Sequence, residues 1–254
     1  MLKDILTLNI YKMHQNQYSV AQSTKLRHKK NSYYSRMKKI AHSKILDIIN
    51  LTESTYIVRL EKNNFEFKAG QYLVLNIPGE NMAREYSIYS AEGASYIDLL
   101  IKEVTDGKIS KELKYLKIGT KVEISGPFGF FVLRDRELIQ DNHFTFVATG
   151  TGISPFHSMV LSNPELDCEV IHGIKDDFEA YNATDYPTNS YKACTSQELG
   201  IYFSGRVTKY LKEKGVRKDS IYYICGNSGM VNEVSGYLEL EGISPENIRT
   251  EVFF

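Results

Sequence analysis

The stretch Arg84-Glu-Tyr-Ser-Ile-Tyr-Ser90 places a guanidinium, a phenol ring and a hydroxyl within four consecutive positions. A guanidinium pairs with phosphate, a ring stacks on a flat heterocycle, and a hydroxyl hydrogen-bonds that heterocycle's edge. A flavin nucleotide asks for these three contacts. As a strand, the segment sends Arg84, Tyr86 and Ile88 to one face and Ser87 to the other, so it offers polar chemistry on both sides. A second anion site is expected in Asp106-Gly-Lys-Ile-Ser110. There Gly107 and the amides of Lys108, Ile109 and Ser110 lead into a helix that Ser110 is expected to cap, and they are suited to a pyrophosphate.

Two glycine-bearing turns further on share one design. An apolar strand, FTFVA, ends in Thr149-Gly150-Thr151-Gly152 and is followed at once by a helix with Pro155 in its first turn. Glycine lets backbone amides approach an anion, and a helix N-terminus adds unpaired N–H groups and a favourable dipole. Another apolar strand, IYYIC, runs through Cys225-Gly226-Asn227 into a helix beginning near Gly229 and Met230. Either turn alone is equally well explained as a tight connection that needs glycine, and Cys225 alone as a small buried hydrophobe. As a pair at the carboxyl edge of one parallel sheet they make a dinucleotide site.

The elements that position these groups follow two patterns. From Ser43 the chain alternates short runs (KILDIINLT, YIVRLEK, QYLVLNI, REYSIYS, YIDLLIKEV, KVEISG) with glycine and proline turns, and one helix, SKELKYLK, interrupts them. This spacing predicts an antiparallel barrel or sandwich. After Asp141 apolar strands alternate with helical stretches, as in a parallel α/β sheet. The expected division is therefore an extension over 1–38, a β-barrel over 39–138 and an α/β domain over 139–254.

Composition narrows the classes. A chain of 254 residues, 42% hydrophobic and 24% charged, holds two ordinary domains. Residues 1–40 carry nine of the 31 Lys and Arg but only Asp4 of the 31 Asp and Glu, which leaves the remainder at a net charge of −8. An acidic body argues against nucleic-acid or membrane partners. Residues 1–38 read as an unpacked leader, with an organellar transit peptide or a true start at Met37 as alternatives. No apolar run is long enough to span a bilayer, so the expectation is a cytoplasmic protein and a monomer. Cys168, Cys194 and Cys225 are too few and too scattered for a thiolate metal site, and no metal is expected.

Taken in order, REYS, GKIS, GPFG at 126–129, GTGISP, CGNSGM and the terminal EVFF resemble the ferredoxin–NADP reductase family over residues 43–254. The resemblance implies a Greek-key barrel that binds FAD and a Rossmann-like domain that binds NADPH or NADH, with the flavin between them. By the same resemblance Arg84 binds the FAD pyrophosphate, Tyr86 stacks on the ring system, Ser87 hydrogen-bonds near its N5, and Gly107 to Ser110 hold phosphates. Gly150 to Gly152, with Thr149 and Pro155, form the coenzyme loop. Cys225, with Gly226, Asn227 and Met230, lies beside the nicotinamide, and Glu251 manages charge and protons near the flavin.

Two departures stand out. Aligned on Glu251, the terminal aromatic that stacks on the flavin becomes Phe253, and Phe254 is an extra ring. The sequence Ser196-Gln197-Glu198 has a neutral residue where NADP-using relatives carry Arg, with Tyr202 and Arg206 as candidates to compensate, so the coenzyme is left open. The function implied is hydride transfer between NAD(P)H and FAD, with single electrons exchanged with a ferredoxin or flavodoxin. The alternatives are the reductase component of a multi-subunit oxygenase and a non-catalytic flavin-binding subunit. Ser87, Cys225 and Glu251 occurring together speak against the last.

Overall fold

Strand formation in the first half follows from alternation. In Tyr72–Asn76 the residues at every second position, Leu73 and Leu75, are fully buried and their neighbours half-buried, as expected of a strand with one face on a core. The computed structural model describes residues 40–254 apart from 80–82, 105–106, 140–141, 197–200 and 254. The expected extension over 1–38, Gln197 and Phe254 therefore lie outside the described residues. By its contacts the chain divides after Ile40, and the account below concerns the unit Ala41–Phe254.

Six antiparallel strands come first: β1 (Ile40–Asn50), β2 (Thr55–Glu61), β3 (Tyr72–Asn76), β4 (Ala83–Ser87), β5 (Tyr96–Lys102) and β6 (Lys121–Phe128), with α1 (Lys108–Lys114) between the last two. Their order is β4-β3-β6-β1-β2-β5. An antiparallel bridge between Ile88, just past β4, and Leu99 of β5 joins the two ends of that order and closes the sheet into a barrel. Its core is filled by Ile45, Tyr56, Val58, Leu73, Ile88, Leu99 and Ile124, all at most 2% exposed.

The helix α2 (Asp135–Ile139) leads into the second sheet: β7 (His143–Thr149), β8 (Cys168–Ile174), β9 (Tyr191–Thr195), β10 (Phe203–Ser204), β11 (Ser220–Gly226) and β12 (Ile248–Val252). Helices α3 (Ser154–Ser162), α4 (Val207–Lys214) and α5 (Ser228–Leu240) complete the unit. Every pairing is parallel, in the order β10-β9-β8-β7-β11-β12. β7 and β11 are almost continuous apolar runs because helices cover both faces of such a sheet. α5 buries Met230, Val231, Val234 and Leu238, a helical stripe.

The two sheets share a core. Ile57, Ala69, Tyr89, Leu100 and Phe131 from the barrel side pack in one cluster with Phe144, Phe146, Ile153, Phe156 and Tyr223. Polar links reinforce it: Lys102 of β5 pairs with Glu179 at 2.5 Å, Tyr181 Oη donates to Thr55 Oγ1 at 3.0 Å, and Tyr223 Oη donates to the Val132 carbonyl at 3.0 Å.

Candidate functional site

The second sheet reverses its winding between β7 and β11, because β8 to β10 lie on one side and β12 on the other. Crevices at such reversals receive nucleotides at the carboxyl ends of the strands. Cys225 pairs with Ala148 across the reversal, which brings the Thr149–Gly152 and Gly226–Asn227 turns side by side. A Cβ on Gly226 would meet Thr149 Oγ1 at 2.2 Å, and one on Gly152 would meet the Cys225 carbonyl oxygen at 2.5 Å. Both glycines are therefore required by the packing of one turn on the other. Gly150 differs: its φ is +54° and the space beyond its missing side chain is open, so it is the glycine that leaves room for a ligand.

Asn227 welds the two turns. Its Oδ1 accepts from the Met230 amide at 2.9 Å, capping α5, while its Nδ2 donates to Thr149 Oγ1 at 3.2 Å. Pro155 is buried in the first turn of α3, as the sequence suggests. Beneath the loop, His172 of β8 is fully buried, with Nε2 at 2.8 Å from the Gly150 carbonyl and Nδ1 at 2.8 Å from Tyr191 Oη. Burial holds its pKa down at about 4 against the opposing pull of the Gly150 bond and of Glu179.

Beside these turns lies a pocket of about 450 Å³ lined by Thr149, Ser196, Arg206, Asn227 and Met230 from the sequence reading, together with Lys175, Cys194 and Glu233. Gly150, Thr151, Gly152, Pro155, Tyr202, Cys225 and Gly226 do not line it. Lys175 is a cation that the motif reading misses. Its only sequence signal is its place directly after β8, where a residue at the carboxyl end of a parallel strand faces the crevice. Its amide donates to Glu179 Oε2 at 2.9 Å. Burial pushes the Glu179 carboxyl up, but Lys102 and the Lys175 amide outweigh it and hold it below its usual value.

Cys225 is fully buried, and burial together with Glu251 raises its thiol pKa well above normal. Glu251 pairs with Cys225 in the β11–β12 register. Its Oε2 is buried without a hydrogen-bond partner, and burial first, then Glu85 of β4, lifts its pKa to about 7. Glu85 of β4 is thus near enough to Glu251 of β12 for their charges to repel. The Phe253 amide donates to the Gly226 carbonyl at 2.8 Å, and its ring packs on the shared core.

On β4, Arg84 is exposed and donates to the neighbouring Ala83 carbonyl at 3.0 Å. Tyr86 lies against the barrel core, and burial pushes its pKa up to about 12. Ser87 is buried. The rest of the segment serves assembly. His157 of α3 stacks on Tyr89 with ring centres 3.7 Å apart, and its Nδ1 lies 2.8 Å from the Tyr89 carbonyl and its Nε2 3.0 Å from Asp185 Oδ2. Ser158 Oγ donates to the Ser90 carbonyl at 2.6 Å. Thus REYSIYS begins as an open strand and ends as the seam between the sheets.

The helix cap is a correction. Ser110 does not open α1; Gly107 does, with φ −85° and ψ 112°, and Ser110 sits inside the first turn. Its Oγ accepts from the Val104 amide at 3.2 Å, and this commits the hydroxyl to closing the preceding turn. A Cβ on Gly107 would meet that Oγ at 2.9 Å and Val104 Cβ at 3.0 Å, so a larger residue there would push both side chains aside. Lys108 is exposed, and Ile109 is a core residue that has only its amide to offer.

A family model described as an oxidoreductase FAD-binding domain matches residues 43–133. The toluate 1,2-dioxygenase electron transfer component of Pseudomonas putida is 32% identical over 229 residues, covering 82% of this chain and 66% of that protein. The chain is similar to ferredoxin–NADP reductases and to oxygenase reductase components. The ferredoxin–NADP reductase of Pseudomonas aeruginosa is 26% identical over 241 residues, 82% of this chain and 92% of that protein. A ferredoxin NADP⁺ reductase from Neisseria gonorrhoeae, solved with bound FAD and NADP, shares the fold with a TM-score of 0.77 at 21% identity, over 85% of this chain and 100% of that one. The chain spans 66%, 59% and 52% of the first three curated relatives that it matches.

Proposed function

We propose that the protein is an FAD-dependent reductase that takes hydride from a nicotinamide coenzyme and hands single electrons to a separate carrier. The observation that carries this reading is the unpartnered, buried Oε2 of Glu251, paired in register with Cys225 and close enough to Glu85 of β4 for the two charges to interact. A carboxyl left without a partner in a folded protein waits for one. In this reading the flavin edge and the nicotinamide lie against Ser87, Glu251 and Phe253, with the buried Cys225 beneath them.

FAD, when bound, accepts two electrons together and releases them one at a time. The residues then divide the remaining work. The Arg84 guanidinium and the amides of Gly107 to Ser110 bind the FAD pyrophosphate, and Tyr86 and Ser87 orient its ring system. Thr149 to Gly152 receive the coenzyme's pyrophosphate. Lys175 and Arg206, with Glu233 the one carboxylate among the described lining residues, favour a coenzyme carrying a further phosphate on its ribose and hence NADPH over NADH. Glu251 holds or releases a proton at Oε2 near neutral pH, and fully buried Cys225 keeps water from that corner.

The likeness to the dioxygenase component supports an oxygenase as the electron partner, and the likeness to ferredoxin–NADP reductases supports a ferredoxin or flavodoxin. Among the described residues no helix is long and apolar enough to cross a membrane. We place the boundary between the FAD-binding and coenzyme-binding domains at 138/139 and read the protein as a cytoplasmic monomer.

The test is direct. The purified protein should be yellow, release FAD on denaturation and reduce ferricyanide with NADPH faster than with NADH. FAD-loaded protein without ferricyanide activity would favour a regulatory subunit, and protein that cannot be loaded with FAD would sink the reading.

A further inference from the structure

The Gly150 carbonyl points down into the sheet, where only a hydrogen-bond donor can satisfy it. The side-chain donor that meets it is His172 Nε2, at 2.8 Å. A carbonyl only accepts, so Nε2 must carry the ring proton and Nδ1 must be the acceptor for Tyr191 Oη at 2.8 Å. The chain of donors runs Tyr191 to His172 to Gly150. A neutral ring is the form that this chain requires, and full burial keeps it neutral across the physiological range.

The peptide that follows Gly150 is trans and planar. Its carbonyl and the N–H of Thr151 therefore point in opposite directions. A carbonyl directed at buried His172 turns the Thr151 N–H away from the sheet. The next residue of β8, Gly173, lets the loop come close, since a Cβ there would meet Thr149 Cγ2 at 2.9 Å. Gly150 opens a short 3-10 turn, Gly150–Ile153, so without a donor at 172 its carbonyl keeps only the bonding of that turn and its direction is less tightly held.

We propose that His172 is a positioning residue for coenzyme binding: through the Gly150 carbonyl it aims the Thr151 amide at the dinucleotide's pyrophosphate. This rests on the coenzyme site proposed above. His172 never touches the ligand, and Tyr191 fixes the tautomer that makes it a donor toward the loop.

The test compares His172→Leu, His172→Gln and Tyr191→Phe in the FAD-loaded protein by calorimetric titration with NADP⁺ and with adenosine 2′-phosphate, which has no pyrophosphate. Losing one well-placed hydrogen bond to a charged group weakens binding about tenfold. His172→Leu should bind NADP⁺ about tenfold more weakly and adenosine 2′-phosphate as the unchanged protein does, with the same FAD content per chain. His172→Gln, which keeps an N–H donor, should recover most of the loss, and Tyr191→Phe should lie between. Equal weakening of both ligands, loss of FAD, or undiminished NADP⁺ binding in His172→Leu would each overturn the proposal. So would glutamine performing no better than leucine. If the unchanged protein bound neither ligand, the coenzyme site itself would fall, whatever the variants did.

Discussion

Replacing Glu251 with Gln removes one proton-binding group and leaves shape and hydrogen-bonding atoms nearly intact. In the folded chain burial and Glu85 raise this carboxyl from 4.5 to about 7. At 1.36 kcal/mol per pH unit this amounts to roughly 3 kcal/mol, an upper figure because the half-buried side chain is partly screened by solvent. The direction is fixed by linkage. Between pH 4.5 and 7 the folded state holds the proton that the unfolded state has lost, so stability falls as pH rises through this window and levels off above it.

Urea unfolding of FAD-loaded wild type and Glu251→Gln from pH 4 to 9 reads this directly. The difference between the two proteins should be constant below pH 4.5, grow to about 2–3 kcal/mol against the wild type by pH 7.5, and then stay flat. Glu85→Gln should pull the upper end of the window downward, because it removes the second cause of the shift. A difference independent of pH would refute the argument and, with it, the placing of a proton on Glu251 at neutral pH.

Other outcomes follow from the same geometry. Arg84→Ala should weaken FAD by tenfold or more, through loss of a charge-assisted contact of about 1.5–3 kcal/mol, as read from flavin retained after dialysis. Lys175→Ala should lower the NADPH-to-NADH ratio of kcat/KM by about tenfold; an unchanged ratio would put the coenzyme's extra phosphate elsewhere. His157→Phe keeps a ring against Tyr89 but leaves the Tyr89 carbonyl and Asp185 without their donor, and should cost about 2 kcal/mol or more in urea unfolding.

The alternation in QYLVLNI and the apolar runs ending at Thr149 and Gly226 made both sheets legible, because buried faces dictate residue type at fixed periods. The two glycine turns were legible as a pair for the same reason. Other features were not. Ser110 looked like a cap because serine commonly is one, and nothing local shows that its hydroxyl is drawn back to Val104. Gly152 looked like a ligand-facing glycine, and only the register of β7 against β11 reveals that the other turn fills its side-chain space. Lys175, Glu179 and His172 carry no motif; their roles come from neighbours between 4 and 77 residues away in sequence. His157 and Tyr89, 68 residues apart, meet only because the barrel's seam lands on α3.

That seam has a bearing on how the molecule comes apart. The aromatic cluster joining Tyr89 and Phe131 to Phe146, Phe156 and Tyr223 is continuous across the junction, so each sheet, beside the core it keeps within itself, buries part of its apolar surface only against the other. Melting should therefore be a single cooperative event, without a state in which one sheet survives the other. A fragment ending near residue 138 would expose the barrel's half of that cluster to water and invite aggregation. For the folded chain, the same continuity makes wide hinge motion between the sheets expensive, and admission of a second ring to the crevice falls to small local movements at the end of β12, where the chain is tied by the bond from Phe253 to Gly226.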